Sequence, residues 1–221
     1  CCTDAECTKR LATATSDENG DVQFEEKWPA GTYYLRETTA PVGYTAAELT
    51  WTVKIAAGKA TISTPGGTTV TEVKNTSRLR LKLKVLGPLG EELPGAVLRV
   101  TRDNGSPMLY KTNEAGAALL EQMPAGDYII QLAGTPTGYV PEDSAPNLKA
   151  EYGTLTYLDT ANTAWQLEQR EGEEYTYLLT LELKELHILP STGGTGTVPF
   201  TLAGAALMAV AVLLPGRKKV K

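Results

Sequence analysis

Few residues in this chain have the type and spacing for chemistry. His187 is the only histidine, and it lies just ahead of Leu189-Pro190-Ser191-Thr192-Gly193. Cys1, Cys2 and Cys7 crowd the start, form no Cys-x-x-Cys pair and have no histidine beside them, so they supply no metal-ligand set. Ser–His and Cys–His nucleophilic catalysis therefore lack a base. The cysteines read as incidental thiols of a strand and turn, with a Cys2–Cys7 disulfide as the alternative. One carboxylate stands apart. Side chains at alternate strand positions share a face, so Tyr33, Leu35 and Glu37 point the same way, opposite Tyr34 and Arg36. A lone carboxylate on an apolar face is costly unless it is protonated or paired. Either Glu37 has such a task, or it sits at a strand end and escapes to water.

The elements that must position these residues are strands. Thr, Val, Tyr and Leu recur in short segments cut by Gly, Pro, Asn and Asp, and residues 1–187 hold no sustained helical pattern. The length of 221 residues fits one to two domains. A net charge of -5, with no basic stripe, argues against nucleic acid as a partner. Neither a metal nor a cofactor is implied. Two segments align without a gap: "PAGTYYLRETTAPVGY" from Pro29 and "PAGDYIIQLAGTPTGY" from Pro124. Each follows a turn signal, ending at Gly20 and Gly116 respectively. They are two copies of one β unit.

The end of the chain has a different character. Val198 to Leu214 carries no charge. As a helix it would span roughly 25 Å, somewhat short of the ~30 Å hydrocarbon core, a mismatch that snorkelling and bilayer thinning can absorb. Pro215 and Gly216 break the run, and Arg217, Lys218 and Lys219 place this end inside. Leu-Pro-Ser-Thr-Gly, an apolar span and a basic tail in this order resemble the cell-wall sorting signal of Gram-positive surface proteins. The resemblance implies insertion in the membrane before sorting, and acyl transfer by a sortase. The sortase cysteine would attack the carbonyl of Thr192 and release Gly193 onward. An amine of a peptidoglycan precursor or of a neighbouring pilin subunit would then take the acyl group. Leu189 and Pro190 would set the bend of the peptide. Ser191 fills the variable position, and Gly193 lets the enzyme approach closely.

The first repeat carries Tyr33-x-Leu35-x-Glu37-Thr38 and then Ala40-Pro41-x-Gly43-Tyr44. This resembles the E-box of SpaA-type, or Cna protein B-type, prealbumin-fold domains of pilins and adhesin stalks. The expected fold is all-β: two tandem immunoglobulin-like or prealbumin-like β-sandwich domains, followed by a C-terminal sorting signal with one transmembrane helix. The domains are expected at 1–77 and 78–187, the sorting motif and linker at 188–197, the transmembrane segment at 198–214 and the basic cytoplasmic tail at 215–221. In such domains the glutamate assists an isopeptide bond between a lysine on the first strand and an asparagine on the last. Glu37 would be that glutamate and Asn75, closing the strand "TTVTEVKNTS", that asparagine. The chain opens on what looks like the second strand onward, with Lys9 beside the "LATAT" strand, so the first strand and its lysine are expected to be missing by truncation. Lys9 lies too late, and Lys54 faces away from Trp51, Val53 and Ile55. A domain without that strand is expected to be marginally stable.

The second copy departs from the pattern. Leu132 stands where the first has Glu37. Leu79, Leu81, Leu83 and Val85 share one strand face, so Leu83 or Val85 occupies the lysine position, and Leu183 the asparagine position. An isolated member of such a triad would be costly to bury, so joint loss is physically consistent, and no internal bond is expected. Lys84 as the reactive lysine is the alternative. Residues 140–174 are expected to hold two strands and a loop, with Trp165 in the core and "EQREGEE" as a solvated turn. The whole points to a wall-anchored structural or adhesive protein, a pilin subunit or adhesin stalk, and not an enzyme. It would meet sortase and, through its exposed part, a host or surface ligand. The alternative is the stalk and anchor of a surface enzyme whose catalytic domain lies upstream.

Overall fold

A computed structural model describes residues 1–158 and 164–187. The sorting motif, the expected transmembrane segment 198–214 and the tail 215–221 lie outside the described residues. Cys1–Glu185 form one compact unit and Leu186–Lys221 another.

In the first repeat, β1 (Gly31–Arg36), β2 (Tyr44–Thr45), β3 (Thr50–Ala56), β4 (Lys59–Ser63) and β5 (Thr76–Ser77) form two small sheets. One has the order β1-β3-β4, and the other pairs β2 with β5. The alternation read from the sequence sets the register: Tyr33 opposes Val53 and Leu35 opposes Trp51. Cys1, Tyr33 and Val53 are buried, with Phe24, Trp28, Leu35, Ile55 and Ile62 packed against them. Phe24 and Trp28 stack at 4.9 Å, and Trp28 and Tyr33 at 5.3 Å.

Two expected strands are not formed. Residues 11–15 are irregular, and the closing strand shrinks to Thr76–Ser77, leaving Val73 42% exposed. A strand persists only where a neighbour takes its N–H and C=O groups, and these segments find one only at their starts, where the Leu11 and Ala12 N–H groups donate to the Cys1 carbonyl and the Val70 N–H to the Ile62 carbonyl. The cysteines also differ from their reading as incidental thiols. Cys2 and Cys7 form a disulfide, while Cys1 stays free and buried. A tight turn does this: Cys7 adopts φ 56° and its N–H donates to the Asp4 carbonyl at 3.0 Å. The two Cα atoms come within 5.1 Å, inside the reach of a disulfide.

The second repeat is a full sandwich. It contains β6 (Arg80–Leu86), β7 (Val97–Arg102), β8 (Met108–Lys111), β9 (Ala117–Leu120), β10 (Gly126–Gly134), β11 (Asn147–Glu151), β12 (Thr154–Tyr157), β13 (Trp165–Gln169) and β14 (Thr176–Glu182). The sheets have orders β12-β11-β10-β7-β8 and β13-β14-β6-β9. Leu81, Leu83, Val85, Leu179 and Leu181 are fully buried between them, as the alternation predicts. Each such side chain contributes about 1.5–3 kcal/mol. First and last strands pair in parallel, Leu83 beside Leu179 and Val85 beside Leu181. Among the described residues, 140–174 hold three strands rather than two. Tyr152 and Gly153, at φ 48° and 76°, make the two-residue turn that folds β11 onto β12, which frees β13 to pair with β14.

The repeat is reproduced bond for bond. The Oδ1 of Asp17 accepts from the N–H groups of Asn19 and Asp21, as that of Asn113 does from Ala115 and Ala117. The Tyr33 hydroxyl donates to the Pro29 carbonyl at 3.0 Å, and Tyr128 to Pro124 at 2.8 Å.

Candidate functional site

Glu37 follows β1 directly, and Asn75 directly precedes β5. Because β2 and β5 pair antiparallel, with Thr45 opposite Thr76, Asn75 comes alongside Ala46 and Ala47. There the Asn75 Nδ2 donates to Glu37 Oε1 at 2.8 Å, and the Ala47 N–H donates to Glu37 Oε2 at 2.9 Å. Both side chains are half-buried. The Asn75 Oδ1 is buried with no hydrogen-bond partner. A half-turn of the amide would bring that oxygen to Glu37. With Oε2 held by the Ala47 N–H, a carboxyl proton on Oε1 would then donate to the amide carbonyl and polarise it. The arrangement can activate an amide carbon toward an amine. Within the first repeat, Lys9, Lys27, Lys54, Lys59 and Lys74 are all exposed, so none offers the desolvated amine that such attack needs. Sequence reading brought Glu37 and Asn75 together but missed the Ala47 N–H, since a backbone donor leaves no signal in residue type.

In the second repeat Leu83, Val85 and Leu183 are buried, and Leu132 packs against the same core. Lys84 lies on the opposite strand face and pairs with Glu92 at 3.1 Å. Trp165 is 3% exposed, and its Nε1 donates to the Ser144 carbonyl at 3.2 Å. Leu189, Pro190, Ser191, Thr192 and Gly193 lie outside the described residues.

A second constellation joins the repeats. The Tyr44 N–H donates to the Pro41 carbonyl at 3.1 Å, closing a turn with Gly43 at φ 83°. Gly43 rests on the Tyr152–Gly153 turn. A Cβ on Gly43 would collide with Gly153, and one on Gly153 would come within 2.6 Å of both the Gly43 Cα and the Tyr175 ring. Arg78 donates its N–H to the Gly43 carbonyl at 2.8 Å, and its guanidinium lies 4.5 Å over the Tyr175 ring and 3.4 Å from Glu174. Sequence reading quoted the Pro-x-Gly-Tyr motif without assigning this contact.

Paired strands, two copies of one β unit and the Glu37–Asn75 contact in the first of them are features of prealbumin-like domains. The family model described as the SpaA prealbumin-like fold domain matches residues 3–74 and 83–164, and that of the LPXTG cell wall anchor motif matches 186–221. The chain belongs to the LPXTG-anchored surface proteins with SpaA prealbumin-like domains, and its place is the Gram-positive cell wall. No curated protein matches it. Among solved structures it is similar to the C-terminal fragment of the pilus adhesin SpaC from Lactobacillus rhamnosus GG, at 15% identity and TM-score 0.45, over 86% of this chain and 88% of that one. It is similar to BcpA, the major pilin subunit of Bacillus cereus, at 17% identity and TM-score 0.32, over 49% of this chain and 28% of that one. The pilus adhesin RrgA from Streptococcus pneumoniae matches at 12% identity and TM-score 0.39, over 66% of this chain and 21% of that one.

Proposed function

We propose that this chain is the wall-proximal stalk of a pilin or adhesin, attached covalently by sortase cleavage between Thr192 and Gly193. The observation that carries this reading is the order of Leu189–Gly193, an uncharged span and a basic tail, within the segment matched by the anchor model. Sortase would form a thioester at the Thr192 carbonyl. An amine of a peptidoglycan precursor or a neighbouring subunit would displace the thiolate and complete the amide.

The Glu37–Asn75 contact supports a second, internal amide. A lysine on a strand laid beside Asn75 would attack its side-chain carbonyl, and ammonia would leave. Glu37 would polarise that carbonyl. The second domain, with Leu132, Leu83, Val85 and Leu183 in these places, would hold by packing alone.

The test is an immunoblot of muramidase-released wall with serum against residues 78–187, under reducing, denaturing conditions. Wild type is expected in the wall fraction and Thr192→Ala in membrane or medium. High-mass ladders identify a polymerised subunit, and one released species identifies a monomeric stalk. Wall attachment of Thr192→Ala would overturn the reading.

A further inference from the structure

The alternation that points Tyr33, Leu35, Trp51, Val53 and Ile55 inward turns the other half of each strand to solvent. On the sheet β1-β3-β4 the outer face carries Tyr34 and Arg36 from β1, Thr52 and Lys54 from β3, and Lys59 and Thr61 from β4. Tyr34 lies opposite Thr52, and Lys54 opposite Thr61. Lys59 lies opposite Ala56, which makes it the diagonal neighbour of Lys54, about 7–8 Å away. Arg36 lies opposite Thr50, four residues from Lys54, so it stands roughly 13 Å along the strands at the other end of the face. The cations thus bracket a patch of hydroxyls.

Arg36, Lys54 and Lys59 are exposed, and among the described residues none of them forms an ion pair. The three strands contain no carboxylate. Glu37, next along the chain from Arg36, is held by Asn75 and Ala47. The corresponding face of the second domain is compensated. There Asp127 lies opposite Lys149, and Lys149 pairs with Glu151 at 2.8 Å. Two copies of one unit therefore differ in this face: the second pairs its cation, and the first leaves three unpaired in a chain of net charge -5. Like charges at neighbouring sheet positions repel, and an anion laid across them relieves that repulsion. The three cations come from three strands, so no run in the sequence announces them.

We propose that this face binds a polyol phosphodiester chain laid along the sheet. Lys54 and Lys59 hold phosphate at one end and Arg36 at the other, while the Tyr34, Thr52 and Thr61 hydroxyls hydrogen-bond to the chain between them. Two of the three cations are lysines, point charges that suit a phosphate better than the planar fork of a carboxylate. A phosphodiester carries its charge in the backbone, so a thin chain can lie flat on a sheet and bring each anion to a side chain. Tyr34 is the one aromatic residue on this face and is half-buried, so it offers no series of rings for stacked bases, which disfavours single-stranded nucleic acid.

The test is fluorescence anisotropy of labelled poly(glycerol phosphate), titrated with the full chain in non-ionic detergent. Arg217→Gln, Lys218→Gln, Lys219→Gln and Lys221→Gln are present throughout, which removes the cations of the tail. With three cations engaged, the logarithm of the affinity should fall against that of salt with a slope of about −2. Lys54→Gln with Lys59→Gln leaves Arg36, so the slope should flatten to about −0.7 and binding at low salt should weaken about tenfold. Lys149→Gln should change neither. Absence of binding, an unchanged slope in the double variant, or an equal loss with Lys149→Gln overturns the proposal. So does tighter binding of oligo-dT or dextran sulfate of equal charge. No sortase is present, so this result is independent of the reading of Thr192.

Discussion

Asn75 gives its side-chain N–H to Glu37 at 2.8 Å while its own Oδ1 is buried without a partner. Glu37 is thus the hub of the end of the first domain, holding Asn75 through one oxygen and Ala47 through the other. Glu37→Ala would strand both donors. We expect it to lower the stability of the first domain by about 1–3 kcal/mol. Urea titration followed by Trp51 fluorescence would register this as an earlier midpoint, with the transition of the second domain unmoved.

The two domains should unfold separately. The first buries Cys1, Tyr33 and Val53 at its centre, whereas the second has a continuous leucine-rich core. Trp28 and Trp51 lie in the first and Trp165 in the second. In a Trp165→Phe variant, fluorescence should report an early transition. With Trp28→Phe and Trp51→Phe, it should report only a later one. A single coincident transition in both variants would show that the domains stand or fall together.

Gly153→Ala should open the joint between the domains. The added methyl meets the Gly43 Cα and the Tyr175 ring, and the residue sits at positive φ. Hydrogen exchange at Arg78, whose N–H is held by the Gly43 carbonyl, should rise at least about tenfold, corresponding to the loss of one backbone hydrogen bond's worth of protection. Amides of β6 and β14 should keep their protection.

Burial raises the Tyr128 phenol above its ordinary value of 10.0, with Arg102 opposing. A raised folded value means that its contribution to stability is intact below the unfolded phenol value and is lost as pH climbs through the folded one. The second domain should therefore weaken steeply above about pH 10. Tyr128→Phe should flatten that dependence, at a cost of about 1 kcal/mol at neutral pH for the lost bond to Pro124. A melting series across alkaline pH would show both.

Much of the second domain was legible because alternation is a local signal. Leu79 through Val85 and Leu179 through Leu183 announced their buried faces one residue at a time, and the structure seats them there. The Glu37–Asn75 pairing was legible through the motif around it. Residues 11–15 and 70–75 were misread because a β pattern forms a strand only when another strand lies alongside. The Cys2–Cys7 disulfide ranked only as the alternative because it depends on a positive φ at Cys7, which no residue type there advertises. The extra hairpin at Asn147–Tyr157 had its only local cue in Gly153, since its partner Tyr152 is a residue type that rarely adopts the positive φ it has here.

The parallel pairing of β6 with β14 fixes how the second domain answers a pull. Arg80 enters the ladder beside Thr176, and Glu182 leaves it beside Leu86. Tension between the two chain ends therefore runs along the ladder in shear and loads all its rungs together. A hairpin pulled at its open end parts one rung at a time. In this domain the strands must slide past each other as a whole, with the leucine core resisting on one face, so strand order alone makes the domain stiff along the line that joins its two chain ends.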